Sequence, residues 1–116
     1  MTVKCGQILR HGDIKEYPIG LRWFSQMNEW MDCLVLVPAS LAHHAHAAVC
    51  EGVDAFWADN NQEAYGDCIE RALRRQAIPY VIEYETPQDY IDDEAWECHL
   101  DQYVAVGIPI INVQRC

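Results

Sequence analysis

Apolar residues change their spacing several times along the chain, and each change predicts an element. Residues 2–17 alternate weakly about His11-Gly12-Asp13, which predicts two short strands and a turn. Pro18 and Gly20 open a segment, Leu21 to Asp32, in which Leu21, Phe24, Met27, Trp30 and Met31 recur at helical spacing. The run Leu34-Val35-Leu36-Val37, stopped by Pro38, predicts a strand buried on both faces and therefore near the middle of a sheet. Ser40 is a suitable N-cap for an Ala-rich helix that Gly52 would end, and Val53 to Ala58 predicts a further strand.

Beyond Asn60 or Asn61, either of which can cap a helix, Ala64, Tyr65, Cys68, Ile69, Ala72 and Leu73 form one apolar face. Its polar side pairs Asp67 with Arg71 and Glu70 with Arg74, and sets Arg74 and Arg75 at the favourable C-terminal end. Ile78 to Glu85 predicts a strand with Tyr80, Ile82 and Tyr84 on one side and Val81, Glu83 and Glu85 on the other. Thr86-Pro87 starts a helix that reaches about Gln102, and Val104 to Val113 closes the chain as a strand broken near Gly107-Ile108-Pro109. The alternation predicts an α/β or α+β fold: a single small domain over residues 1–116, with 4–6 short strands and about four helices in two or three layers.

Composition narrows the function. A chain of 116 residues that is 51% apolar has enough for one core. Eight Lys and Arg against 18 Asp and Glu leave a net charge of −10, which argues against direct contact with nucleic acid or an anionic membrane. No apolar run reaches the ~20 residues of a membrane span, and Met1 to Arg10 lacks the pattern of a secretory signal, so a cytoplasmic protein is expected. The six cysteines (Cys5, Cys33, Cys50, Cys68, Cys98, Cys116) contain no CxxC and are widely spaced, which reads as reduced thiols acting mostly as small apolar fillers.

The charge is unevenly spread. Between Gln76 and Gln114 there is no Lys or Arg, yet eight acids occur: Glu83, Glu85, Asp89, Asp92, Asp93, Glu94, Glu97 and Asp101. Asp89, Asp93, Glu97 and Asp101 are four residues apart and would line one side of the helix after Pro87, with Ile91, Ala95 and Cys98 on the opposite, core side. Like charges at that spacing cost about 0.2–0.5 kcal/mol per pair, a loss that a Lys- and Arg-bearing partner would explain. Trp96 and Leu100 project beside the stripe, where an aromatic ringed by charge suits an interface anchor. The plainer alternative is a solvated acidic face with Trp96 tucked under the strand that follows.

Other chemistry is thinner. His43, His46 and Cys50 share one arc of their helix, opposite Leu41, Ala45 and Ala48; His43/His46 or His46/Cys50 could each share an ion, but all three span about 10 Å, so a metal needs further ligands such as His11, His99 or an Asp. Cys50 with His46, or Cys98 beside His99, are the local thiol–base candidates, and neither thiol sits at a helix N-terminus. No Gly-rich phosphate loop and no GxSxG occurs, so no cofactor is implied. Trp23, Phe24 and Trp30, with Met27 and Met31, fit a core under the first helix; Trp23 lies off that stripe and also suits a surface or dimer contact, and Phe56-Trp57 suits a second anchor on a loop.

These features predict a non-enzymatic protein that binds a basic protein or nucleoprotein complex and occludes its surface through the Glu83–Asp101 region. Small, acidic, motif-free chains of this character resemble phage- or plasmid-encoded inhibitors of nucleases and defence complexes, anti-CRISPR proteins among them, although no family motif carries the likeness. An immunity or antitoxin-like partner of a basic toxin has the same charge profile. A small α/β enzyme or metal-binding protein using the His43/His46/Cys50 face, and a homo-oligomer subunit, are the other classes.

Overall fold

A computed structural model describes residues 2–3, 16–24, 32–59, 65–85 and 93–113. Strand β3 (Asp32–Val37) is the predicted central strand, and all six of its residues are buried. It pairs antiparallel with β2 (Ile19–Phe24) on one side and with β4 (Val81–Tyr84) on the other. The two-residue β1 (Thr2–Val3) runs parallel to β4, and β5 (Ile110–Asn112) runs parallel to β2. The sheet order is therefore β1-β4-β3-β2-β5.

Because successive strand side chains alternate, β3 feeds two separate cores. Cys33, Val35 and Val37 face α1 (Ala42–Asp59) and α2 (Tyr65–Arg75), together with Leu21, Trp23 and Ile82. Leu34 and Leu36 face α3 (Asp93–Ala105), together with Val81. The result is an α+β domain in three layers, with three α-helices among the described residues and a short 3-10 turn, Ala39–Leu41, leading into α1.

Two predicted elements change type. The segment expected as a helix from Leu21 begins as strand β2: Leu21 and Trp23 point to the α1/α2 core while Gly20 and Arg22 lie opposite Leu36 and Leu34 on the α3 face. That period of two is hidden in the sequence by the coincident helical spacing of Leu21 and Phe24. Trp23 is a core residue, 5% exposed, and not a surface or dimer contact; Met27, Trp30 and Met31 lie outside the described residues, as do the turn and second strand expected within residues 4–15.

Gly52 does not end α1, and Val53 to Ala58 continue it as helix. A Cβ at Gly52 would come within 2.6 Å of the Ile69 Cα, so the glycine sits where α1 and α2 cross at close range. Phe56 and Trp57 accordingly lie on a helix, half-buried against the α1/α2 core and packed edge to face with centroids 5.2 Å apart.

Helices α2 and α3 stop in the same way. Ile78 N–H donates to the Leu73 carbonyl and Ala77 N–H to Arg74; Ile108 N–H donates to Tyr103 and Gly107 N–H to Val104. This pattern places one residue in the left-handed region, Gly107 at φ 96° in α3 and Ala77 at φ 57° in α2.

Candidate functional site

The inner face of α3 is set by Trp96, His99, Leu100 and Tyr103, all buried. Their i, i+3, i+4, i+7 spacing is an ordinary core stripe except that its second member is a histidine. Of the expected core face of Ile91, Ala95 and Cys98, Ile91 lies outside the described residues and the other two are exposed instead. Trp96, Leu100 and Tyr103 offer far more apolar area than Ala95 and Cys98, about 1.5–3 kcal/mol per large side chain buried, so they decide which way the helix turns.

Burying His99 is possible because β4 supplies its partner. Glu83, fully buried, lies 2.6 Å from His99 Nε2 through Oε2, and its other oxygen accepts from Tyr103 Oη at 2.9 Å. Trp96 stacks on the imidazole at 5.6 Å and Tyr103 meets it edge-on at 5.5 Å. Both carboxylate oxygens of Glu83 are therefore satisfied within a core that holds Leu34, Leu36 and Val81.

A second polar group lies across the same sheet face. Arg22, Leu34 and Glu83 are opposite one another on three adjacent strands. Arg22 Nε donates to Asp32 Oδ2 at 2.7 Å, and Nη2 reaches the same oxygen at 2.5 Å. The far side of the guanidinium takes Glu97 of α3 by two bonds, Nη2 to Oε1 at 2.6 Å and Nη1 to Oε2 at 3.3 Å. Arg22 thus ties β2 to both β3 and α3.

Burial raises the Asp32 carboxyl above the usual aspartate range, and Arg22 opposes that rise. Burial alone would pull the Arg22 guanidinium down, but its bonds to Asp32 and Glu97 more than compensate and its pKa is raised. The Trp96 indole N–H turns toward Asp32 without closing a hydrogen bond, and Glu85 is buried beside them, its N–H donating to the Asp32 carbonyl at 2.8 Å.

The predicted acidic surface is therefore divided. Glu83 of β4 and Glu85 just beyond it are both buried, and Glu83 is bonded to α3. Trp96 and Leu100, expected as interface anchors, are 1% and 2% exposed and cannot touch a partner without α3 lifting. Glu97 is half-exposed and ion-paired with Arg22. Glu94 and Asp101 are exposed. Asp89 and Asp92 lie outside the described residues, as does the side chain of Asp93, which opens α3.

On the other face, α2 is fastened to β4 by one carboxylate. Glu70 accepts from Tyr80 Oη at 2.7 Å and Tyr84 Oη at 2.5 Å, with Arg74 3.7 Å away in the expected i, i+4 pair. Burial, then Glu70, pushes both phenols up. Arg75 pairs with Glu51 of α1.

The His43/His46/Cys50 arc loses its thiol. Cys50 is disulfide-bonded, with its partner outside the described residues, so the expectation of a reduced cysteine is corrected there. His46 Nδ1 lies 3.8 Å from the Cys50 sulfur, but a disulfide sulfur offers no thiolate to a metal or a substrate. Cys33, Cys68 and Cys98 are free thiols; burial pushes the Cys33 thiol far up, which suits a core filler. Among the described residues no group of three or more His, Cys, Asp or Glu is placed to hold a metal ion, and no helix is long and apolar enough to cross a membrane.

Set against family models, curated proteins and solved structures, the chain matches none of them. What the arrangement offers chemically is a helix tied to the sheet by two polar groups, with an outer face left to solvent. Sequence reasoning did not single out Arg22, Asp32 or Tyr103. The signal available was the Trp96-x-x-His99-Leu100-x-x-Tyr103 spacing, which reads as a core stripe once His99 is allowed inside.

Proposed function

We propose that this protein acts by binding another protein, presenting the outer face of α3 to a cationic surface and covering it. The observation that carries the reading is the placement of Glu94, Glu97 and Asp101 at i, i+3 and i+7 on that exposed face, in a stretch from Gln76 to Gln114 that contains no Lys or Arg. Two helical turns separate the outer carboxylates by about 10 Å. Val104, three residues beyond Asp101 and 55% exposed, takes the apolar role for which Trp96 is unavailable.

The fit is to a basic patch of the kind that nucleic-acid-binding proteins and nucleoprotein complexes carry, and the effect is occlusion, as in anti-defence inhibitors of anti-CRISPR character. Arg22 draws on Glu97, so Glu94 and Asp101 carry most of the unmatched charge. The test is capture of a partner from lysate, followed by association kinetics with the purified partner. The variant Glu94→Gln/Asp101→Asn should bind more slowly, and the wild-type on-rate should fall as salt rises. Equal association by the neutralised variant, at every salt concentration, overturns the reading.

A further inference from the structure

Strand β5 has a neighbour on one side only among the described residues. Its hydrogen bonds to β2 define which backbone groups remain. The Pro109 carbonyl accepts from Gly20 N–H at 2.9 Å, and Val113 N–H donates to the Arg22 carbonyl at 2.7 Å. Since successive strand residues turn their N–H and C=O groups to opposite sides, Ile111 also points at β2, while Ile110 and Asn112 turn both groups outward.

That outward pattern is self-complementary. Two β5 strands related by a two-fold axis through Ile111 would set Ile110 of each copy opposite Asn112 of the other, exchanging both N–H and C=O in each pair. Ile111 would then face its own mate in the closer, non-hydrogen-bonded position, about 4.5 Å between Cα atoms. Ile111 is 45% exposed, one of three large exposed apolar side chains among the described residues, the others being Val104 and Val106 before it in the chain.

Charge decides the occupant. No charged residue stands between Asp101 and Arg115, although the chain as a whole carries −10. Two copies meeting elsewhere on an acidic surface repel, whereas Ile110, Ile111 and Asn112 bring no carboxylate of their own to the contact. Edge strands stay single by being very short or by carrying a lysine, an inward charge or a blocking proline, and β5, three residues long, has only its brevity. Strand β5 has no charge, and Pro109 precedes it with its carbonyl already bonded to β2.

We infer that the β5 edge is a homodimer contact, joining two sheets into one continuous sheet through Ile110, Ile111 and Asn112. This stands apart from the α3 reading and answers to salt with the opposite sign. Screening weakens attraction to a basic partner but strengthens the meeting of two acidic copies.

Sedimentation velocity from about 5 to 200 μM tests it, the span in which a small edge contact should show. The mass should rise from 13.4 kDa toward twice that value, at lower concentration in high salt than in low. Ile111→Lys should keep the wild-type circular dichroism and melting curve and remain monomeric. Hydrogen exchange at Ile110 and Asn112, and not at Ile111, should slow as concentration rises. A monomer across the whole range, a dimer untouched by Ile111→Lys, or unchanged protection at those two amides overturns the proposal; a monomer leaves the edge to a strand of another protein.

Discussion

His99 and Glu83 meet 2.6 Å apart inside the core between the sheet and α3, with Tyr103 completing the carboxylate at 2.9 Å. Neither partner belongs there alone. His99→Leu leaves a buried carboxylate with one donor, and the expected loss of stability is about 3–5 kcal/mol, the usual cost of breaking a buried pair. Replacing both residues with Leu removes the stranded group together with its partner. The double variant should therefore be markedly more stable than His99→Leu. Urea unfolding of the two variants checks this, and a single-variant loss below about 1 kcal/mol would mean that Glu83 finds water on its own.

Arg22 makes the corresponding tie at the other side of α3. Its bond to half-exposed Glu97 contributes less than about 1 kcal/mol, but its bonds to Asp32 offset a carboxylate with 1% side-chain exposure. Arg22→Met should destabilise by about 3 kcal/mol or more at pH 7.5. The pH dependence has a definite sign. Burial holds the Asp32 carboxyl above its unfolded value and Arg22 restrains that rise, so removing Arg22 raises it further. An acid whose folded pKa is raised favours folding below its unfolded pKa and loses that contribution as pH rises through the folded pKa. Asp32 in the variant therefore takes up its proton first as pH falls from neutral, and the stability gap to wild type narrows. Denaturant melts of both proteins at pH 7.5 and 5.5 measure the gap; a gap that widens at pH 5.5 contradicts the account.

How much of this was legible in the sequence follows from what each residue needed to know. Leu34 to Val37 declared a central strand because four adjacent apolar residues, two of them β-branched and the run stopped by Pro38, suit a strand buried on both faces. The second helix declared itself through two agreeing patterns, an apolar face and i, i+4 charge pairs. Helix α3 is legible as an element but its rotation is not, because nothing local marks His99 as a core residue and the group that makes it one, Glu83, is sixteen positions away on a strand. For the same reason Glu83 and Glu85 looked like surface acids: a carboxylate's partner is a tertiary fact. Local rules make Gly52 a helix stop, while its actual neighbour, Ile69, lies on another helix.

The two helix-crossing and helix-ending positions make opposite predictions for the same pair of residue types. Ala77 ends α2 at φ 57°, where a Cβ meets the carbonyl ahead of it and costs roughly 1–2 kcal/mol. Gly107 fills the matching position in α3 at no such cost. Glycine at 77 regains that strain but adds freedom to the unfolded chain, so Ala77→Gly should stabilise by a net of about 0.5–1 kcal/mol. Gly52→Ala reverses the sign although alanine is the better helix former. Its methyl would stand 2.6 Å from the Ile69 Cα, a backbone atom that no rotamer change can move aside. The helices would have to separate, at a cost of about 1–3 kcal/mol for an overpacked contact. Thermal melts of the two single variants should move in opposite directions. A Gly52→Ala protein that melts above wild type would mean that propensity outweighs packing where α1 crosses α2.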